Sequence, residues 1–204
     1  MSHDGLVLVE DSKVDQAYVQ PGADLGVYDK VMLAKPHIAF KKKWQRDQNR
    51  TRFGEWRVTD EDMERIVSRT KDLFGAVFFE VLEEHNYPVV STAGADVLLV
   101  RPAIIDLDVT APNVSAVPLS ETYAARGADA TLFMELYDSV TGQILIRAID
   151  KKKGKRKDLA WSIMRNETGN RADAEKAFRF WAELLVEALD NARKGNSKEQ
   201  AGNG

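Results

Sequence analysis

The stretch Asp96–Val109 constrains the fold most, because its pattern changes partway along. Every residue of Val97–Val100 is apolar, whereas apolar and acidic residues alternate from Ile105 onward. A strand buried on both faces reads as a continuous apolar run, and a strand wetted on one face alternates. The sequence therefore predicts a strand that runs from a core to a solvated rim, with Ile105, Leu107 and Val109 on one face and Asp106 and Asp108 on the other.

Length and composition indicate one globular domain. A chain of 204 residues buries roughly 70% of its unfolded surface on folding. The net charge of −3 gives no global reason to expect nucleic acid, which usually requires a basic protein face. The chain has no Cys, which excludes disulfides, thiolate zinc sites and cysteine nucleophiles. No run approaches the ~20 apolar residues that span a bilayer, so no transmembrane segment is expected, and the chain as given is expected to be soluble.

Local patterns predict the first half of the chain. Residues 1–26 have little periodicity and are predicted to be an irregular arm. A strand is predicted over 28–34, resuming over 37–40. Thr59 and Asp62 have the spacing of a capping box, and apolar residues then recur every three or four positions as far as Leu82, which predicts a long amphipathic helix. Residues 87–90 begin a short strand.

The second half is predicted in the same way. After the strand over 96–109 comes a long loop over 110–127, and then two strands over 130–138 and 143–151. Gly142 at the end of their short connection favours a hairpin with a bulge. A further strand is predicted over 158–164. A last amphipathic helix is predicted to start near Asn170, and residues 194–204 are predicted to be a disordered tail.

Together these elements predict a single α+β domain over residues 27–193. Consecutive strands joined by turns favour an antiparallel meander, and two amphipathic helices can cover one of its faces. The predicted architecture has two layers: a mostly antiparallel sheet of about five strands, and two helices on one face.

The sequence shows no recognisable reactive centre. No His-x-x-x-His pair exists for a helical zinc site, and no Ser lies between glycines at nucleophile-elbow spacing. Gly154 with Lys155 and Arg156 lacks the upstream Gly and the hydroxyl residue of a phosphate loop. We therefore predict no catalytic residue, no metal ligand and no cofactor, and expect the protein not to be an enzyme.

Asp106 and Asp108 are the one acidic constellation. They are predicted to project from the same face of a strand, where carboxylates could hold Ca²⁺ or act as an acid and base pair. The alternative is a solvated rim with cations opposite, and Arg147 and Lys151 are available for that.

Two basic segments form the second constellation. Residues 41–57 carry seven Lys and Arg against two acids, interleaved with three aromatic residues, and 151–157 add six cations. Basic residues with aromatics can bind single-stranded nucleic acid or an anionic membrane surface. The alternative is two solvated connections whose Trp rings anchor the loop on the core. The candidate residues are Lys41, Lys42, Lys43, Trp44, Arg46, Arg52, Lys151, Lys152, Lys153, Lys155, Arg156 and Lys157.

The chain resembles a bacterial family known only as domain of unknown function thirty-three-thirteen, whose members are mostly described as lipoproteins. The resemblance covers about Tyr18 to Ala192. It is carried by these segments: Tyr18–Met32, Asp96–Leu98, Ile105–Val109, Ala111–Asn113, Glu135–Gly142, Asn170–Ala174 and Trp181–Ala182.

The resemblance implies an exported, lipid-anchored protein of the periplasm and outer membrane, and the sequence as given departs from that pattern because no leader is recognised at its start and it contains no Cys. The leading hypothesis is a non-enzymatic envelope domain that binds a partner protein or supports assembly. One alternative is a binder of nucleic acid or anionic surfaces through the basic segments, of which nucleic acid is the less expected. The other is a metal-dependent enzyme built on the acidic rim.

Overall fold

The protein is described by a computed structural model that covers residues 4–109, 129–152 and 167–202. Within these ranges seven strands form one mixed, mostly antiparallel sheet, and three α-helices accompany it. The prediction of an α+β fold with a mostly antiparallel sheet is confirmed. The strands are β1 Val7–Leu8, β2 Gln16–Val19, β3 Lys30–Leu33, β4 His37–Phe40, β5 Val97–Asp108, β6 Asp129–Asp138 and β7 Ile144–Lys152.

The sheet has the order β1-β2-β7-β6-β5-β3, and β4 also pairs with β5. The meander β5-β6-β7 is antiparallel, as predicted. The strands β3 and β4 instead lie parallel to β5, one after the other along its length. They can do so because a long helix lies between them and β5 in the chain, and a parallel pair needs such a crossover.

Helices cover one face of the sheet. The helix α2 (Asp60–Glu84) begins with the predicted capping box, in which Asp62 and Thr59 bond each other's backbone N–H. Its apolar stripe and that of α3 (Glu167–Gly202) share one hydrophobic core with the inner face of the strands. The core's largest fully buried side chains include those of Phe74, Phe78, Leu98, Ile104 and Leu189.

The structure corrects the prediction at both ends of the chain. Residues 1–26, predicted to be an irregular arm, contain β1 and β2, which extend the sheet beyond β7 to give seven strands rather than about five. An unpaired edge of β7 would leave a row of backbone groups without partners, and β2 fills that position. The helix α3 continues to Gly202, through most of the segment predicted to be a disordered tail.

The predicted alternation of β5 is wrong at one point, because the strand contains a bulge. Asp106 has a left-handed backbone (φ 54°), and the pairing with β6 shifts between Ile105 and Asp108. The extra residue moves the inner face by one position, so that Ile104 and Leu107 are buried in place of Ile105 and Leu107. Other predicted elements, the strand over 158–164 and the loop over 110–127, lie outside the described residues.

Candidate functional site

The sheet brings both basic segments to the same end. The strand β4 ends at Phe40 beside Leu107, and β7 ends at Lys152 beside Ala130. Only β5 and β6 lie between β4 and β7, a separation of roughly 14 Å at the usual spacing of strands. We call this end of the sheet, where β4, β5 and β7 finish and β6 begins, the basic end. The segment 41–57, which follows β4, and the described start of the second segment, Lys151 and Lys152, therefore lie at neighbouring positions of the sheet.

The predicted acidic rim lies at the basic end, on the bulge of β5. The carboxylate of Asp108 accepts a hydrogen bond from Lys41 at 2.8 Å. Asp106 is exposed, and its left-handed backbone is one that Asp tolerates better than most residues. Arg147 and Lys151, the predicted cationic partners, do not pair with either carboxylate: Arg147 bonds Asp4 and Glu135 instead.

A third carboxylate at the basic end is buried. Asp150 accepts a hydrogen bond from the indole N–H of Trp181 at 2.6 Å and pairs with Lys152 at 2.8 Å. The ammonium of Lys152 also lies 4.1 Å from the centre of the Phe180 ring. These contacts fasten α3 to the end of β7. The signal was in the sequence, because Asp150 has the same parity in β7 as Ile146 and a buried Trp needs an acceptor.

The basic segment 41–57 folds back on the core through Trp44, the first residue of the short helix α1 (Trp44–Gln48). The Trp44 side chain is only 3% exposed, its ring stacks on Phe40 at 4.4 Å, and its indole N–H donates to the Val109 carbonyl at 2.8 Å. Trp44 was a candidate residue of the binding surface, and its burial corrects that assignment in favour of the alternative, in which a Trp ring anchors the loop on the core. The burial follows from the ring's large apolar area and its single donor.

The segment's cations remain at the surface. Lys41, Lys42, Lys43 and Arg46 are exposed. Arg52 is half-buried, and this burial lowers the pKa of its guanidinium. Arg46 bonds the neighbouring Asp47, which lowers the pKa of that carboxyl.

Between α1 and α2 the chain forms a loop over residues 50–57, whose base is clamped by one amide. The side chain of Asn49 accepts from the N–H of Val58 at 2.7 Å and donates to its carbonyl at 2.9 Å. Gln45 donates to Asp60 at 2.7 Å across the same gap. Val58 is buried against Trp44. The loop therefore has a fixed base formed by two side-chain amides and a small apolar cluster.

The tip of this loop exposes two aromatic rings. Phe53 is 78% exposed and Trp56, in the 3-10 turn Gly54–Trp56, is 44% exposed. The sequence showed these rings interleaved with cations but could not separate them from Trp44, because all three occupy similar basic surroundings. We call residues 50–57 the aromatic loop.

The second basic segment is described only at its start. Lys151 is exposed, and its backbone N–H donates to Asp15 at 2.8 Å. Lys152 is occupied by Asp150 and Phe180. The remaining candidates lie outside the described residues: Lys153, Lys155, Arg156 and Lys157.

The sheet face away from the helices carries a cross-strand row that the sequence did not predict. Arg101, Glu135 and Arg147 lie directly opposite one another on β5, β6 and β7. Glu135 accepts from Arg147 at 2.9 Å and from Tyr137 at 2.5 Å. Such a row needs the strand register, which a single strand's pattern does not contain.

Across the described residues no group of three or more His, Asp or Glu side chains is placed to hold a metal ion. No α-helix in those same ranges has the length and apolar character required to cross a membrane.

Comparison with known proteins identifies one family and several distant structures. A family model described as "Protein of unknown function (DUF3313)" matches residues 2–185. No curated protein matches the chain.

Three solved structures are similar to this chain at low TM-scores. The PelC dodecamer from Paraburkholderia phytofirmans has a TM-score of 0.41 at 10% identity, with 81% of this chain and 92% of that chain covered. A neuraminyllactose-binding hemagglutinin homologue from Helicobacter pylori has a TM-score of 0.35 at 13% identity, covering 83% and 90%. A DUF4136 family protein from Bacteroides thetaiotaomicron has a TM-score of 0.36 at 12% identity, covering 89% and 98%.

Proposed function

The chain belongs to this family of unknown function, and we propose that it is a non-enzymatic domain of the bacterial cell envelope that binds a partner protein. The description of family members as lipoproteins supports an envelope location, in the periplasm and anchored by lipid. The contacts of the described side chains support a binding role over a catalytic one.

Several carboxylates that could carry chemistry instead hold the fold together. Asp62 caps α2, Asp138 caps the turn between β6 and β7 through Thr141, and Asp150 bonds Trp181. Asp108 is paired with Lys41, which leaves little support for a metal-dependent enzyme on the acidic rim. A group bound in this way is costly to remove from its structural role.

The observation that carries the proposal is the open edge of the sheet at β1. The edge residues Val7, Leu8 and Val9 are all exposed, Leu8 to 53%. Val9 donates its backbone N–H to Ala17, so the alternation of an antiparallel pair directs the N–H and carbonyl of Leu8 away from β2. Within the described part of the chain no further strand pairs with β1.

An apolar edge strand with outward backbone groups is a template for another strand. Partner proteins use such edges by adding an extended segment, whose main chain supplies affinity and whose side chains supply specificity. Acids follow the edge at Glu10 and Asp11, so the favoured partner segment is extended, apolar at its centre and basic at one end.

Site-specific crosslinking tests this proposal. A photoreactive residue at position 8 is expected to crosslink a discrete envelope protein in cells, and the product is expected to disappear when Val7 and Val9 are changed to Lys. A matched probe at Val140, also exposed and apolar but on the β6–β7 turn, is expected to give no such product. Equal products from both positions, or none from position 8, would count against the edge as the binding surface.

A second candidate function is binding of an anionic surface through the basic segments. The observation that favours it is that both segments start at the basic end of the sheet. Lys41 directly follows β4, and Lys152 is the last residue of β7. Its signature is binding that weakens steeply with salt, because displaced counterions drive the association.

A further inference from the structure

The aromatic loop exposes more apolar surface than its fold requires. Phe53 and Trp56 are bulky exposed rings three positions apart at one short turn, and contiguous exposed apolar surface marks interaction sites. Trp44, in the same segment, shows that a ring in this region can reach the core and bond there. The two rings at the tip are therefore exposed to solvent although a nearby Trp ring in the same segment is buried.

The base of the loop holds that display in place. Asn49 grips both backbone groups of Val58, and Gln45 reaches Asp60. These bonds close the loop where α1 ends and α2 approaches, which reduces the number of conformations open to the tip. A loop that presents apolar side chains from a rigid base loses less conformational freedom when it binds.

The segment that carries the rings has a net positive charge. Residues 41–57 carry seven cations against two acids, and Asp47, one of the two, is paired with Arg46. Exposed cations lie on both sides of the rings: Lys42, Lys43, Arg50 and Arg57. A partner that fits this surface must be anionic and must also accept apolar rings.

A lipid bilayer meets both conditions better than nucleic acid does. Single-stranded nucleic acid is bound by aromatic platforms in a positively charged groove, but here Trp44 is stacked on Phe40 inside the fold and the other rings stand on a projecting turn. Trp and Phe beside Lys and Arg are the residues that settle at a membrane surface, with the rings among the headgroups and the cations against anionic lipids.

We infer that the aromatic loop docks on an anionic lipid bilayer, with Phe53 and Trp56 entering the interface and the neighbouring cations contacting phosphate headgroups. This inference rests on the second candidate function, for which it names the surface. It is independent of the β1 edge, which lies beside β2 at the far edge of the sheet order.

Vesicle flotation of the full chain tests the inference. The protein is expected to float with phosphatidylcholine vesicles that contain phosphatidylglycerol, and not with phosphatidylcholine alone. The double variant Phe53→Ser with Trp56→Ser is expected to lose roughly tenfold or more in affinity, because apolar burial drives insertion. Charge removal at Lys42, Lys43 and Arg50 is expected to lose roughly fivefold for each cation.

Three controls distinguish vesicle binding by the aromatic loop from nonspecific hydrophobic adsorption and from loss of the fold. Phe79→Ser removes a ring that is 51% exposed on α2, and it is expected to leave flotation unchanged. A blue shift of tryptophan emission on vesicle addition is expected in the wild type and absent in Trp56→Phe. Thermal melts of all variants check that the fold persists.

The outcomes distinguish the inference from the function beneath it. Flotation that survives the double variant overturns the inference, whereas it leaves anionic-surface binding in place. Salt-sensitive binding to a single-stranded oligonucleotide without vesicle binding also overturns it, in favour of nucleic acid. Binding to neither vesicles nor oligonucleotide overturns both the inference and the second candidate function.

Discussion

The two ends of the sheet differ in what their side chains contact. At the basic end, side chains fasten the base of a loop whose tip displays aromatic rings. At the opposite end, which we call the hairpin end because β6 and β7 turn there, polar side chains bond one another and the backbone. Tyr28 donates to Asp138 at 2.9 Å, and Ser139 exchanges bonds with Gly94.

The basic end therefore combines buried contacts, around Trp44 and Asp150, with an exposed loop tip, whereas the hairpin end is held by polar contacts between side chains and backbone. Arg193 of α3 donates to the Tyr28 carbonyl and lies 4.2 Å from the centre of the Tyr87 ring, so the last helix also closes the hairpin end. The hairpin end is expected to unfold only with the whole domain. The aromatic loop is expected to tolerate substitution at its tip but not at its base.

The largest expected effect is at Trp44. Trp44→Ala removes a buried ring and leaves a cavity beside Phe40, and it is expected to destabilise the protein by about 3–5 kcal/mol. Trp56→Ala, twelve positions along in the same basic segment, is expected to change stability by less than about 0.5 kcal/mol. Urea unfolding of the two variants measures the contrast. Similar losses would mean that the tip is part of the core.

A smaller effect is expected at the amide that clamps the loop. Asn49→Ala leaves the N–H of the buried Val58 without its partner and its carbonyl with only the 3.3 Å bond from Gln45, and it is expected to cost about 1–3 kcal/mol. Arg50→Ala, the neighbouring exposed position, serves as the control. Proteolysis near residues 50–57 is expected to accelerate in Asn49→Ala alone. An unchanged cleavage rate would show that the base does not hold the loop.

The smallest effect concerns the hairpin end and depends on pH. Burial, followed by the hydrogen bond to Asp138, raises the pKa of Tyr28 from 10.0 to about 12. Because the folded pKa is the higher, this stabilisation is fully present below pH 10.0 and is lost as the pH rises through about 12. At neutral pH Tyr28→Phe is expected to cost about 1 kcal/mol.

Urea unfolding at several alkaline pH values checks this assignment. Tyr28→Phe is expected to lower the slope of unfolding free energy against pH in that window, without abolishing it, since burial also raises the pKa of Tyr87 and Tyr137. Tyr18→Phe, on the other face of the sheet, is the comparison variant. A slope in Tyr28→Phe equal to that of the wild type would show that the Tyr28 phenol does not contribute to the pH dependence of stability.

Much of the fold could be predicted because it depends on short-range patterns. The capping box at Thr59, the apolar stripe that follows and the turn closed by Gly142 each need only a few neighbouring residues. The candidate site could be predicted in part: the cations of residues 41–57 were identified, but the pattern could not tell which aromatic rings face solvent.

The sequence by itself determined the two long helices and the antiparallel meander, because periodicity, capping and turn chemistry are local. The family follows from a separate feature, the match of the sequence to the family model. Only the tertiary structure decided the rest. Strand pairing brought the two basic segments to one end, a bulge at Asp106 moved the inner face of β5, and packing buried Trp44 while leaving Trp56 exposed. Each of these depends on contacts between residues far apart in the chain, and the local sequence of one strand or loop does not determine such contacts.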